Sequence, residues 1–153
     1  MQPTAKHTQY FRSMEGMRYQ LRGLTLSFKR GENENEGAYS LFELLEPPGA
    51  SIDLHRHPAF QETFVVLEGR FDFEAAGERY SLGPGETLII PRGAPHGYTC
   101  TSPEAGRLLT ISTPARLFEA FIADISVANL DLSADIGAVF ARHGVELLGA
   151  TCG

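Results

Sequence analysis

The sequence predicts an all-β barrel or sandwich that ends in a short helical tail. Three observations carry this. Short apolar or alternating runs recur from Ala38 to Thr113, Gly and Pro break them at close intervals, and after Pro114 the apolar spacing becomes helical. Strands built from a half-buried pleat alternate with period two, whereas a helix repeats its apolar face every three or four residues.

The elements follow in chain order. Residues 1–20 carry little periodicity and read as an arm with room for one short strand. Leu21 to Arg30 reads as a strand, and the polar run from Gly31 to Gly37 as a turn. Strand-like runs then occupy Tyr39–Leu45, Thr63–Leu67, Phe71–Glu74, Thr87–Ile90 and Arg107–Ser112. Breaks fall at Pro47-Pro48-Gly49, Glu68-Gly69, Gly83-Pro84-Gly85, Arg92-Gly93-Ala94-Pro95 and Pro103. In the tail, Phe118, Phe121, Ile122 and Ile125 form one apolar helical stripe. Asp131 or Ser133 is suited to cap a second helix running to about Arg142, with Gly144 as its stop. No long linker or internal repeat intervenes. The expected organisation is therefore one domain, with arm and barrel over 1–114 and a helical tail packed on the barrel over 115–153.

Composition narrows the function classes. Thirteen Lys and Arg face nineteen Asp and Glu, a net charge of −6, which gives no electrostatic reason for a nucleic-acid or anionic-membrane partner. No apolar run approaches the ~20 residues that a membrane span needs. Met1 to Arg12 is polar and lacks a signal-peptide core, so a cytoplasmic location is expected. Cys100 and Cys152 are too few for a disulfide framework. Open sheet edges and the N-terminal arm invite pairing with a second subunit, so a homodimer is expected.

Three of the five histidines fall between positions 55 and 96. His55 and His57 stand two apart, so on a strand they project to the same side and suit two neighbouring positions on one metal. Glu62 follows a short turn through Pro58 and opens the next strand. Further on, Gly93-Ala94-Pro95 makes a tight turn and His96 begins another strand. His7 in the polar arm carries no such signal. His143, just before Gly144, suits a helix C-terminus, where the dipole favours a cation.

Gly49, His55, His57, Glu62 and Gly69, followed by Gly85, Pro91, Gly93 and His96, resemble the two signature motifs of the cupin superfamily in the right order. The last position of the second motif, often Asn, is Cys100 here. More diffusely, the chain is similar to small bacterial cupins described as quercetin dioxygenase-like. They share Leu44–Gly49, Thr113-Pro114 before the Phe118/Phe121 helix, and the ending His143–Gly149. The resemblance implies a double-stranded β-helix, the cupin jelly roll, with His55, His57, Glu62 and His96 binding one divalent metal. The chemistry of the residues agrees. Three imidazoles and a carboxylate suit Mn, Fe, Co, Ni, Cu or Zn, leave positions open for ligands, and do not resemble an all-oxygen Ca or Mg site.

Strand parity predicts what faces inward. With Glu62 inside, so are Phe64 and Val66. On neighbouring strands the inward set is Ser40, Phe42 and Leu44, then Phe71 and Phe73, and His96 carries Tyr98 and Cys100 to its own face. On the last strand, polar Thr110 and Ser112 are expected outside, which puts Leu109 and Ile111 inside. The expected substrate pocket is thus Phe42, Phe64, Phe71, Phe73, Tyr98, Cys100, Leu109 and Ile111 (apolar and aromatic, without Lys or Arg). Cys100 also reads as a small buried apolar filler.

The reading that follows is a metal-dependent, dioxygenase-like oxidoreductase acting on a small apolar or aromatic compound. By the resemblance to quercetin dioxygenase-like cupins, Glu62 would be both ligand and base, and Tyr98 is taken as a second catalytic group. The alternatives are a non-redox metal-dependent isomerase or lyase and a non-catalytic small-molecule-binding protein. An enzyme for sugar phosphates would want inward basic groups, and the parity reading finds none.

Overall fold

Two antiparallel sheets face each other and close a jelly-roll barrel. The computed structural model describes residues 8–21, 23–30, 37–115, 118–128 and 136–149. The strands are β1 (Met17–Leu21), β2 (Leu24–Arg30), β3 (Ser40–Glu46), β4 (Ser51–Arg56), β5 (Gln61–Glu68), β6 (Phe71–Ala75), β7 (Glu78–Leu82), β8 (Thr87–Ile90), β9 (His96–Cys100) and β10 (Gly106–Thr113). Helices α1 (Phe118–Ala128) and α2 (Ile136–Arg142) follow, and β11 (Glu146–Gly149) ends the described chain. One sheet runs β1-β2-β3-β10-β5-β8 and the other β11-β4-β9-β6-β7.

The strand expected from Leu21 to Arg30 is β2, which begins at Leu24; Leu21 instead ends β1, the short strand for which the arm had room, and Gly23, at φ +85°, lies in the reversal that pairs the two. Two strands, β7 and β11, carry too little apolar alternation to stand out. Each is mostly exposed and held by its ladder to a neighbour. The turn from Gly31 to Glu36, the caps Asp131 and Ser133, His7 and Cys152 lie outside the described residues.

The inner face of the six-stranded sheet is layered. Residues paired directly across antiparallel strands point to the same side, and three rows result. The first is Ser40, Ser112, Glu62 and Ile90, the second Phe28, Phe42, Thr110 and Phe64, and the third Leu26, Leu44, Leu108 and Val66. All twelve are buried. The first row is the polar one, and it lies at the end of the barrel where Glu62 meets His57 and His96.

This register corrects the reading of β10. Leu108, Thr110 and Ser112 face the interior, whereas Leu109 and Ile111 sit half-buried on the outer face. The ladders decide it: Thr110 is paired with Phe42 on one side and Phe64 on the other, and both are inward. Leu109 and Ile111 are apolar because the outer face of this sheet is itself partly apolar. Leu41, Val65 and Leu67 are half-buried there, and Ile89 is 59% exposed.

The outer face is also tied to the arm. Glu43, on the outer face beside Leu109 yet buried, takes Lys29 Nζ at 2.8 Å and Arg107 Nη1 at 3.1 Å. Lys29 also donates to the carbonyls of Arg12 and Glu15, and Arg107 to Ser13 Oγ. In the tail, Phe121, Ile122 and Ile125 are buried as the helical stripe requires, while the side chain of Phe118 is outside the described set. Gly144, at φ +71°, ends α2 as expected. His143 finds more than the helix dipole: its Nε2 lies 2.6 Å from Asp124 Oδ2, which joins the end of α2 to α1.

Candidate metal centre

The four candidate ligands come from three strands and one turn. His55 and His96 are directly opposite on β4 and β9. A bulge on β4 between Ile52 and His55 turns both to the inner face although they stand three apart. His57 lies just past β4, and its ring stacks on Phe60 at 4.0 Å between centroids. Glu62 comes from the facing sheet. The turn before His96 needs Gly93 at φ +77°, and Gly93 N–H donates to the His57 carbonyl at 3.3 Å. One motif is thereby docked on the other.

Together His55, His57, Glu62 and His96 place their donor atoms within 4.8 Å of one another. His57, Glu62 and His96 are buried, and His55 is half-buried, so the cluster approaches the surface on its side. Each imidazole is held by a main-chain carbonyl. Nδ1 of His55 lies 2.8 Å from Asp53 O, that of His57 3.2 Å from Phe60 O, and that of His96 2.9 Å from Ala94 O. A carbonyl only accepts, so Nδ1 carries a hydrogen and Nε2 is the nitrogen that each ring turns to the cluster, where His96 Nε2 meets Glu62 Oε2 at 3.1 Å and a metal would take the place of that proton.

The electrostatics suit a cation. Burial, reinforced by His96, pulls His55 down to about 4, so the ring is neutral at pH 7. Burial alone would raise Glu62, but His57 and His96 outweigh it and hold the carboxyl below its usual range. His57 is raised in turn, because Glu62 overcomes the effect of burial. Its Nε2 lies 3.2 Å from Glu62 Oε2 without the alignment of a hydrogen bond and is left unpartnered among the described residues. A buried carboxylate and an orphaned imidazole nitrogen among three Nε2 donors fit a divalent transition metal. The donor set does not choose among Mn, Fe, Co, Ni, Cu and Zn.

Below the cluster the barrel is packed with rings. Phe64 lies 5.2 Å from Phe73 and 5.8 Å from Tyr98, while Tyr98 lies 5.9 Å from Phe71. Phe42 and Cys100 are also buried inside. The Tyr98 hydroxyl donates to Glu46 Oε1, so its proton is already engaged. Burial, and then Glu46, raise the Tyr98 phenol well above its ordinary value. Cys100 packs two pleats beyond His96, with Sγ 3.4 Å from Ser102 Oγ. Leu109 and Ile111 are not in this interior.

Glu46 was missed. It is fully buried and, against the opposing Tyr98 hydrogen bond, burial pushes it up to about 8. Just before Pro47-Pro48-Gly49 it reads as a turn charge. Its parity with Ser40, Phe42 and Leu44 was the available signal.

The two facing sheets and the His/Glu cluster define a cupin barrel, and residues 42–112 match the cupin domain family. Over those residues the chain carries a cupin domain of the type 2 kind. It is 35% identical over 103 residues to quercetin 2,3-dioxygenase of Bacillus subtilis, covering 65% of this chain and 30% of that protein. It is 27% identical over 92 residues to the HTH-type transcriptional regulator PuuR of Escherichia coli, covering 60% of this chain and 49% of that one. The chain thus spans less than half the length of both relatives. Among solved structures it is similar to KdgF from Halomonas sp., with a TM-score of 0.63 at 20% identity, covering 72% of this chain and 96% of that chain. No helix among the described residues is long and apolar enough to cross a membrane.

Proposed function

We propose that this cupin is a metal-dependent, dioxygenase-like oxidoreductase acting on a small apolar or aromatic compound. The observation that carries this is the cluster itself: three carbonyl-held imidazoles and Glu62, over an interior of aromatic rings that no Lys or Arg side chain enters among the described residues. The likeness to quercetin 2,3-dioxygenase supports the same class. When bound, a transition metal supplies Lewis acidity and, in a redox-active form, the one-electron chemistry that dioxygen requires.

His55, His57 and His96 would hold the metal through Nε2, their rings oriented by the carbonyls of Asp53, Phe60 and Ala94. Glu62 would complete the set and accept a proton from a substrate hydroxyl within hydrogen-bond reach. With the Tyr98 hydroxyl on Glu46, proton transfer falls to Glu62, and Tyr98 serves as a wall with Phe64 and Phe73. The rings exclude water and favour an apolar substrate body. A cytoplasmic homodimer without nucleic-acid or membrane partners belongs to the same reading.

The test is metal analysis of protein purified from its source, followed by oxygen uptake with aromatic hydroxy compounds. Uptake that requires the metal is expected, and metal-loaded protein that consumes no oxygen with any of them would refute the oxidoreductase. A second reading, a non-catalytic small-molecule binder, is favoured by the likeness to the regulator PuuR. It would show metal-dependent binding without turnover.

A further inference from the structure

Two hydroxyls beside the metal centre have no protein partner. Ser112 and Thr110 are each 0% exposed, and neither Ser112 Oγ nor Thr110 Oγ1 has a hydrogen-bond partner among the described residues. Both face the barrel interior from β10. Ser112 is paired directly with Glu62, and Glu62 Oε2 lies 3.1 Å from His96 Nε2, so this hydroxyl borders the donor cluster. Thr110 is one pleat deeper, between Phe42 and Phe64. Ser40, on the other side of Ser112, is engaged, its hydroxyl donating to the Ala115 carbonyl at 3.5 Å.

An unpartnered buried hydroxyl is costly, and an apolar residue of the same shape avoids that cost. Valine would fill position 110 between two phenylalanines. Hydroxyls stacked one pleat apart, beginning at a metal ligand and flanked by rings, instead form a short polar track in an aromatic wall. Each can both donate and accept. Among the described residues of this sheet, Lys29 and Arg107 are bound to Glu43 on the outer face, so neither supports an anion inside.

We infer that Ser112 and Thr110 form a polar subsite for a second, uncharged oxygen function, a hydroxyl or carbonyl, of the compound whose first oxygen meets the metal. This rests on the metal-centred reading above and narrows its substrate class from an apolar compound to an aromatic one bearing a further oxygen.

The experiment uses the zinc-loaded full chain without oxygen, titrated with catechol and with pyrogallol, which adds one hydroxyl to the same chelating pair. Wild type should prefer pyrogallol by roughly five- to tenfold, the value of one net hydrogen bond. In Thr110→Val and Ser112→Ala the preference should fall towards one while zinc stoichiometry is retained. Thr110→Val should melt no lower than wild type, since it removes a buried unpaired group at equal volume. A wild type without preference, or variants that keep it, would overturn the subsite and leave the metal site standing. Variants that lose zinc or melt lower would assign the hydroxyls a structural role and also overturn it. A wild type that takes up no zinc would sink the metal-centred reading and the subsite with it.

Discussion

Each imidazole of the cluster spends its Nδ1 hydrogen on a carbonyl no more than three residues away, at Asp53, Phe60 and Ala94. The local chain therefore fixes which ring nitrogen faces the cluster before any metal arrives. His57 is also fixed by Phe60 and by the Gly93 turn, so it is the ligand whose loss should be felt most. Metal analysis should find about one equivalent in wild type and little in His57→Ala, because a chelate arm is gone; equal content would refute the site. Glu46 makes a separate prediction. Its folded-state value near 8 lies above the ordinary glutamate value of 4.5, so the fold binds its proton more tightly than the unfolded chain does. Its contribution is complete below the unfolded value and is lost as pH rises towards 8, a difference on the order of 4 kcal/mol. Denaturation from pH 5 to 9 should show wild type losing stability against Glu46→Gln as pH rises, and parallel curves would show that Glu46 is ionised in the fold. The four-residue cluster was legible because its spacing carries the signal. Glu46 and Ser112 were not, because burial of a polar residue follows from its partners across the sheet.

At the scale of elements, β10 shows where alternation stops informing. A strand with one wet face announces its inner side, but β10 has apolar residues on its outer face and hydroxyls on its inner one. Only its ladders to β3 and β5 resolve that. Helix α1 is the opposite case: Phe121, Ile122 and Ile125 are all buried as their spacing requires. Phe121 packs on Phe140 at 5.1 Å and on His143 at 5.5 Å, which joins both helices. Phe121→Asp should lower stability by about 3 kcal/mol or more, combining lost packing with a buried charge. An unchanged melting temperature would show that the tail contributes nothing to the fold.

For the whole molecule, the outer face of the six-stranded sheet is the surface to test. Leu41, Val65, Leu67, Leu109 and Ile111 are half-buried on it, and Ile89 is largely exposed. A contiguous apolar face of this kind is suited to a second subunit. Light scattering should find about twice the 16.7 kDa of one chain, and Ile89→Asp should shift the equilibrium towards monomer. A wild-type monomer at all concentrations would refute the dimer. The interior makes a prediction of the same scale. Calorimetry on metal-loaded protein should find an aromatic hydroxy compound binding better than a sugar phosphate, and only with the metal present. Tight, metal-independent binding of the phosphate would overturn the proposed substrate class.

By itself the sequence determined the barrel, the helical stripe and the four-residue cluster. Each is written in local spacing: period two along strands, three to four along α1, and a His-x-His pair before a turn and a glutamate. Tertiary structure alone decided which face of β10 looks inward, that Glu46 holds Tyr98, and that Ser112 stands beside Glu62. These depend on register between strands far apart in the chain, and a shift of one residue would exchange the two faces of a strand whose sides are both partly apolar.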